Sequence, residues 1–458
     1  MTTSLSPLGV IPTIVAQATP PGISALAIIR LTGPKTLPIL SSITHKPSSF
    51  FHHGKAALTS IYNSSGNLLD ETVITFYKSP LSYTGEDVAD ISCHGGLSTP
   101  KSILSSCLHQ GAVPAPPGEF TKRAFLNGKI DLTQAEAIAD LIRAKTEKSQ
   151  RFSAAALKGI LSNEITDIRE NLILTISHME AELDFLEDEI NFTTHEVWTT
   201  KISTLKNRLS SLLSTFDSGH IYQLGATVVI SGNPNVGKSS LLNALLQKNR
   251  VIVSHEAGTT RDAIDAFYET DGVPIKFVDT AGIRFSGSPV EARGVEIAQD
   301  YINTADLVLW VWEALTPTDI LTKCIHNPPF KSPFILVLNK IDLVDSSHRP
   351  LIPNNVDHVF VSAKTGFNLS ILLSAIKNLL VSDISTDQPL LTNKRHETEI
   401  KNTIVSLNNA LTSLSTGTTI DTILTDLRIS LSHLDTILGK TTTDEILDKI
   451  FGEFCIGK

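Results

Sequence analysis

The sequence predicts a multidomain chain with α+β and α/β parts: an N-terminal α+β domain, a discontinuous α-helical domain, and a P-loop nucleotide domain inserted between the helical halves. Three observations carry this prediction. At 458 residues the chain is too long for one hydrophobic core. The stretch Gly232-Asn-Pro-Asn-Val-Gly-Lys-Ser239 follows the apolar run Ala226 to Ile230 and precedes the helix-forming run Leu241 to Leu246, the strand, loop and helix context of a phosphate-binding loop. Helical periodicity holds on both sides of that region, from Thr133 to about Leu186 and again after Asn393.

Residues 1–124 show short apolar runs (Ala25 to Leu31, Thr72 to Tyr77, Val88 to Cys93) broken by Gly, Pro and Ser, the pattern of a strand-rich domain. The texture changes after Pro116-Pro-Gly-Glu-Phe120, and residues 125–222 read as the first helical half. The acidic cluster at its end, from Glu180 to Glu189, reads as a solvated helix face, since His178 is the only imidazole nearby. Residues 223–381 alternate strands (Ile275 to Val278, Leu307 to Trp312, Phe334 to Leu338, His358 to Val361) with helices, which predicts a parallel sheet covered by helices. Residues 382–458 are the second helical half with a C-terminal Cys-Ile-Gly-Lys tail.

The formal charge is −9 and no segment of the chain is a basic arm, so any nucleic-acid contact is local or shared with a partner. Cys93, Cys107, Cys324 and Cys455 are widely spaced, which suits a reducing compartment. Neither a signal-peptide pattern nor an apolar run of about 18 residues is present, so a soluble cytoplasmic protein without membrane contact is expected.

Chemistry concentrates at the ends of the predicted strands. In the phosphate loop, Asn235, Val236, Gly237, Lys238, Ser239 and Ser240 offer backbone N–H groups, an ammonium for the outer phosphates and a hydroxyl for Mg²⁺. Asp279-Thr280-Ala281-Gly282 ends one strand, where the carboxylate can hold Mg²⁺ through water and the Gly282 amide can sense a γ-phosphate. Asn339-Lys340-Ile-Asp342 ends another; the Asp342 carboxylate, an acceptor only, can take both N1–H and N2–H of guanine, a pair that adenine lacks. Ser362-Ala363-Lys364 ends the last and supplies backbone donors over the base. Gly258-Thr-Thr-Arg-Asp262 offers a threonine hydroxyl to Mg²⁺.

The order and spacing of these motifs resemble the translation-factor-related GTP-binding proteins. Ile283 stands where Ras-like proteins carry the water-orienting glutamine, so another group must position water and another charge must replace an arginine finger. Asn235 is placed to ligate a monovalent cation, and Glu291 is a carboxylate able to orient water.

Further motifs sharpen the match: Ile14-Val-Ala-Gln-Ala-Thr-Pro-Pro-Gly22, Tyr83-Thr-Gly-Glu-Asp87, His94-Gly-Gly96, Pro117-Gly-Glu-Phe120, Arg123-Ala-Phe-Leu-Asn127, Asp131 to Leu141, and the terminal Phe454-Cys-Ile-Gly-Lys458. Together they resemble, over essentially the whole chain, the bacterial and organellar tRNA uridine-5-carboxymethylaminomethyl modification GTPases, the MnmE (TrmE) family. The resemblance implies a tetrahydrofolate-binding N-terminal domain, a helical domain and an inserted Ras-like G domain. It implies a hydrolase of acid anhydrides that cleaves GTP and, with the FAD-dependent partner MnmG, modifies the wobble uridine (position 34) of certain tRNAs. The one-carbon unit comes from 5,10-methylenetetrahydrofolate, for which 5-formyltetrahydrofolate is an analogue.

Carried over residue by residue, the resemblance implies folate contacts at Arg30, Asp90, Lys129 and Lys458; Asp90 departs from the glutamate more often found there. It implies K⁺ at Asn235, Ser254, Glu256 and Thr259, Mg²⁺ at Ser239 and Thr260, further nucleotide contacts at His255, Ala257 and Gly258, and a catalytic, water-orienting role for Glu291. A homodimer, and a heterotetramer with MnmG, are also implied. Cys455 is either chemically active or packed near the folate pocket. A regulatory GTPase whose N-terminal domain is only an interaction module is the alternative, and it would not need the terminal motifs.

Overall fold

The structure, a computed structural model, describes residues 11–184, 194–248, 250–253, 266–279, 300–345 and 348–458. The chain divides into two compact units, Met1–Ala139 with Asp435–Lys458, and Asp140–Leu434. No helix among the described residues is long and apolar enough to cross a membrane.

The first unit is built on a six-stranded sheet of β1 (Ile14–Gln17), β2 (Leu26–Thr32), β3 (Ala56–Tyr62), β4 (Leu68–Tyr77), β5 (Val88–His94) and β6 (Val113–Pro114), in the order β3-β4-β5-β2-β1-β6. Pairing is antiparallel except between β1 and β6. Strand side chains alternate between faces. Ala27, Ile29 and Leu31 of β2 and Ala89, Ile91 and Cys93 of β5 therefore turn one way, into a core with Ile39 and Leu40 of α1 (Thr36–Thr44) and Ile103 and Cys107 of α2 (Thr99–His109). The alternate set, Arg30 and Asp90 included, lies on the other face, and Arg30 stands opposite Asp90 in the register. Helices α3 (Glu119–Leu126) and α4 (Leu132–Arg143) follow, and the C-terminal helix Asp444–Gly452 lies against α3, with Phe451 6.3 Å from the Phe125 ring.

In the second unit α5 (Glu147–Leu157), α6 (Ile160–Asp184), α7 (His195–Leu213) and α8 (Phe216–Leu224) precede a seven-stranded sheet. Its strands are β7 (Ala226–Gly232), β8 (Arg250–Val253), β9 (Ala266–Thr270), β10 (Val273–Asp279), β11 (Leu307–Glu313), β12 (Phe334–Asn339) and β13 (His358–Phe360), ordered β13-β12-β11-β7-β10-β9-β8. Helices α9 (Lys238–Lys248), α10 (Thr318–His326) and α11 (Leu369–Leu380) belong to this part, and α12 (Lys394–Thr416) and α13 (Ile420–Leu438) follow it. In the helical part α7 packs on α6 and α12, and its Ile202, Leu205 and Leu209 are buried.

Both sheet faces are covered, which is why β11 is apolar at nearly every position. Leu307, Leu309 and Val311 join Leu241 of α9 and Ile376 of α11, whereas Val308, Trp310 and Trp312 join Leu321 of α10. Phe152 of α5 and Tyr222 of α8 enter the first of these clusters, so helices and sheet share a core. The sheet expected to be parallel is mixed: five strands from β13 to β10 are parallel, but β9 and β8 form an antiparallel edge. The cause is local. Asp271 (φ 49°) and Gly272 (φ 83°) are both left-handed, a two-residue turn that reverses the chain between β9 and β10.

Leu309 is fully buried in the central sheet. Leu309→Ala is expected to destabilise the second unit by about 2–5 kcal/mol, read from denaturant unfolding followed by the fluorescence of Trp310 and Trp312.

Candidate functional site

The carboxyl ends of β7, β10, β11, β12 and β13 lie along one edge of the second sheet, where the parallel order brings Gly232 beside Val311 and Glu313 beside Asn339. Gly232 has no Cβ to collide with the Val311 carbonyl. Asn235 (φ 68°) and Gly237 (φ 93°) are left-handed, which turns the loop into α9. A Cβ on Gly237 would stand 2.5 Å from Asn339 Nδ2. Lys238 folds back on its own loop, donating from Nζ to the carbonyls of Gly232 (2.9 Å) and Asn233 (2.8 Å). Carbonyl oxygens hold an ammonium in the way phosphate oxygens do, and more weakly. In the first turn of α9 the Ser239 hydroxyl donates to Asp279 Oδ2 at 2.9 Å. A hydroxyl beside a carboxylate is an oxygen donor set suited to Mg²⁺.

Asn339 closes β12 and is 1% exposed. Its Nδ2 donates to the Val236 carbonyl (2.9 Å), and its Oδ1 accepts from the Ala363 amide (3.0 Å). One side chain thus ties the phosphate loop to the segment Ser362 to Lys364. Lys340, at φ 63°, donates to the Asn235 carbonyl at 2.8 Å and pairs with Glu313. The buried Ser362 hydroxyl donates to Asp342 Oδ1 at 2.6 Å, which aims the exposed Asp342 carboxylate. The structure therefore brings together Asn235, Val236, Gly237, Lys238, Ser239, Asp279, Asn339, Lys340, Asp342, Ser362 and Ala363 at one sheet edge; Ser240 and Lys364 follow their neighbours in the chain. Ser254, His255, Glu256, Ala257, Gly258, Thr259, Thr260, Thr280, Ala281, Gly282 and Glu291 lie outside the described residues.

In the first unit Arg30 forks onto Asp90, with Nε to Oδ1 at 2.7 Å and Nη2 to Oδ2 at 2.9 Å. That carboxylate holds the guanidinium above its ordinary pKa. The Arg30 fork lies 6.0 Å from the ring of Tyr83, whose hydroxyl bonds Thr121 Oγ1 at 2.8 Å and whose acidity burial weakens. Tyr83 also packs against the small core containing Phe120, and the Phe120 amide donates to the main-chain oxygen of Lys458 at 3.2 Å. Lys129 stands apart from the fork, its Nζ on the Pro80 carbonyl at 3.0 Å. Among the residues expected to contact folate, Arg30 and Asp90 are thus in direct contact, and Tyr83 links them to the tail that ends in Lys458.

The motif Tyr83 to Asp87 has a structural account of its own. Glu86 accepts from Thr32 Oγ1 (2.9 Å) and Arg123 Nη1 (3.0 Å), and Asn127 Nδ2 donates to the Thr84 carbonyl (2.7 Å). Sequence reasoning did not single out Tyr83 or Glu313 as site residues; the tyrosine's signal was its place in a motif, and the glutamate's was its place at a strand end.

In the acidic cluster, Glu180 pairs with Arg428 at 2.7 Å, and no metal-holding group of His, Cys, Asp or Glu occurs among the described residues. Burial pushes the Cys93 thiol up to about 11 and the Cys107 thiol up to about 12, whereas Cys455 is exposed. Because the thiolate is the reactive form, an alkylating reagent at pH 8 is expected to modify Cys455 before Cys93 or Cys107. Peptide mass analysis of the native and unfolded protein checks this.

Comparison with known proteins accords with both units. Residues 13–129 match the family described as GTP-binding protein TrmE N-terminus, and residues 132–455 match the MnmE helical domain. The tRNA modification GTPase MnmE of Thermotoga petrophila is 40% identical over 453 residues, covering 97% of this chain and 100% of the relative. That of Carboxydothermus hydrogenoformans is 38% identical over 461 residues, covering 97% and 99%. Among solved structures, Aquifex aeolicus Era bound to GDP and aluminium fluoride is 27% identical over 40% of this chain and 66% of that one, with a TM-score of 0.26. With its phosphate loop, its Asn339 to Asp342 strap and relatives that match it almost end to end, the chain belongs to the MnmE family of tRNA modification GTPases.

Proposed function

We propose that this GTPase of tRNA modification is potassium-dependent and, with the FAD-dependent subunit MnmG, forms the 5-carboxymethylaminomethyl group on uridine 34 from a tetrahydrofolate one-carbon unit. The observation that most supports the nucleotide half is the Asn339 side chain, which joins the Val236 carbonyl to the Ala363 amide and sets a phosphate loop and a guanine-selecting carboxylate on one edge. Lys238 exchanges the Gly232 and Asn233 carbonyls for the outer phosphates. Ser239, with Thr260, holds Mg²⁺, and Asp279 lies within hydrogen-bond reach of that serine. Bound there, the divalent ion neutralises charge on the phosphates. Asn235, with Ser254, Glu256 and Thr259, holds K⁺ where other GTPases insert an arginine, and Glu291 orients the attacking water. Asp342, aimed by Ser362, takes the two guanine N–H groups.

The folate half rests on Arg30, Asp90, Lys129 and Lys458 in the N-terminal domain. The fork of Arg30 on Asp90 supports it, because a carboxylate with lone pairs to spare and a fixed guanidinium together can meet the donor and acceptor edges of a pterin. Its domains are 1–124, 125–222 with 382–458, and 223–381, and it works in the cytoplasm as a homodimer that joins MnmG in a heterotetramer on tRNA. Mass analysis of wobble uridines in cells lacking the protein tests the whole reading; unchanged 5-carboxymethylaminomethyluridine would remove it.

Asp342→Asn is expected to weaken GTP binding by on the order of a hundredfold while xanthosine triphosphate becomes the better substrate; equal selectivity would take Asp342 out of the base site. Exchanging K⁺ for Na⁺ is expected to slow hydrolysis about tenfold or more, and identical rates in the two salts would contradict the cation role of Asn235.

A further inference from the structure

Glu313 is the last residue of β11, and its backbone is fixed without help from its side chain. It stands opposite Asn339 in the register, the next amide (Ala314) donates to the Asn339 carbonyl at 2.8 Å, and its own carbonyl accepts from Thr316 at 3.0 Å. The side chain is therefore not needed to finish the strand. It reaches Lys340, whose ammonium is also held by the Asn235 carbonyl at 2.8 Å. Asn235 is one of the few non-glycine residues in the left-handed region among the described residues, a conformation that an asparagine adopts at some cost and that its surroundings must hold.

We propose that Glu313 is a positioning residue of the nucleotide site: it fixes the Lys340 ammonium over the Asn235 carbonyl and so locks the guanine-selecting strap to the phosphate loop. A half-exposed ion pair alone stabilises a fold little. This pair differs in what the lysine does next. An ammonium has three donors; with Glu313 taking one, the direction of the donor to Asn235 is set, and the bent loop is held from outside. Asn339 makes the same connection one residue earlier through Val236, so two adjacent residues of β12 and its strap grip two adjacent loop residues. The Lys340 stem runs beside Gly237, where a Cβ would lie 3.9 Å from its Cε. A shift of Lys340 would be felt along the loop.

A competing account makes an opposite prediction. If Glu313 acts only through its field, it is a negative charge near bound phosphates, and its removal tightens nucleotide binding. If it positions Lys340, its removal loosens binding. The sign decides.

The inference rests on the sheet edge being the nucleotide site, so GDP binding by the unaltered protein is the first measurement; its absence would sink that assignment and this inference with it, whereas normal GDP binding that the Glu313 variants leave unchanged would sink the inference alone. With fluorescent GDP as probe and full-length protein, Glu313→Gln is expected to raise the dissociation constant and off-rate about threefold to fivefold. Glu313→Lys, which repels Lys340, is expected to raise them about tenfold or more. KM for GTP follows, with kcat nearly unchanged, and Glu313→Asp restores part of the loss. In a Lys340→Met background Glu313→Gln is expected to add nothing further. Unchanged or tighter binding by Glu313→Gln, or additive losses in the double variant, would overturn the proposal. Thermal unfolding of the nucleotide-free variants separates a lost fold from a loosened site, and the isosteric Glu313→Gln keeps the test open if the charge reversal does not fold.

Discussion

The nucleotide edge depends on one buried amide. Asn339 is almost wholly removed from water, and both of its polar atoms are used, one on a carbonyl of the phosphate loop and one on an amide of the last strand's extension. Burying such a group without partners is costly, so the loop and the extension are held at the separation that satisfies both bonds. Three separate consequences come from this constraint. Gly237 must lack a side chain because the amide nitrogen occupies that space, Ala363 must present its N–H, and Ser362 is set where its hydroxyl can aim Asp342.

The same edge shows how a doubly covered sheet makes a site. Apolar side chains on both faces of β7, β11 and β12 fix the strands, and their ends carry polar groups that no core claims. Lys238 and Lys340 then bond to loop carbonyls rather than to solvent alone. Lys238 is held in place by neutral acceptors yet can trade them for charged ones, which a charge-assisted bond favours, whereas Lys340 keeps its carbonyl beside the charge of Glu313.

The first unit uses a sheet with two unlike faces. One face packs on helices, and the other presents the Arg30 fork on Asp90 beside Tyr83. That pair exists because β2 and β5 are neighbours in antiparallel register, which places the two residues directly opposite on the face away from the core. Their separation in the chain, 60 positions, conceals a contact that the register makes unavoidable.

Local features are legible in the residues themselves: which runs become strands and helices, where the phosphate loop bends, and which motifs stand at strand ends. Periodicity and the glycines at 232 and 237 encode these within a few residues. Asp271-Gly272 is a local signal of the same kind, whose two left-handed residues make a tight turn and an antiparallel edge on an otherwise parallel sheet. Side-chain partners, by contrast, are settled by how the strands come together. Arg30 meets Asp90, Tyr83 links that pair to the tail, Lys129 goes to Pro80, and Glu313 meets Lys340. Each contact joins residues distant in the chain through strand order and register, which are set by the packing of whole sheets and leave no mark at either residue alone.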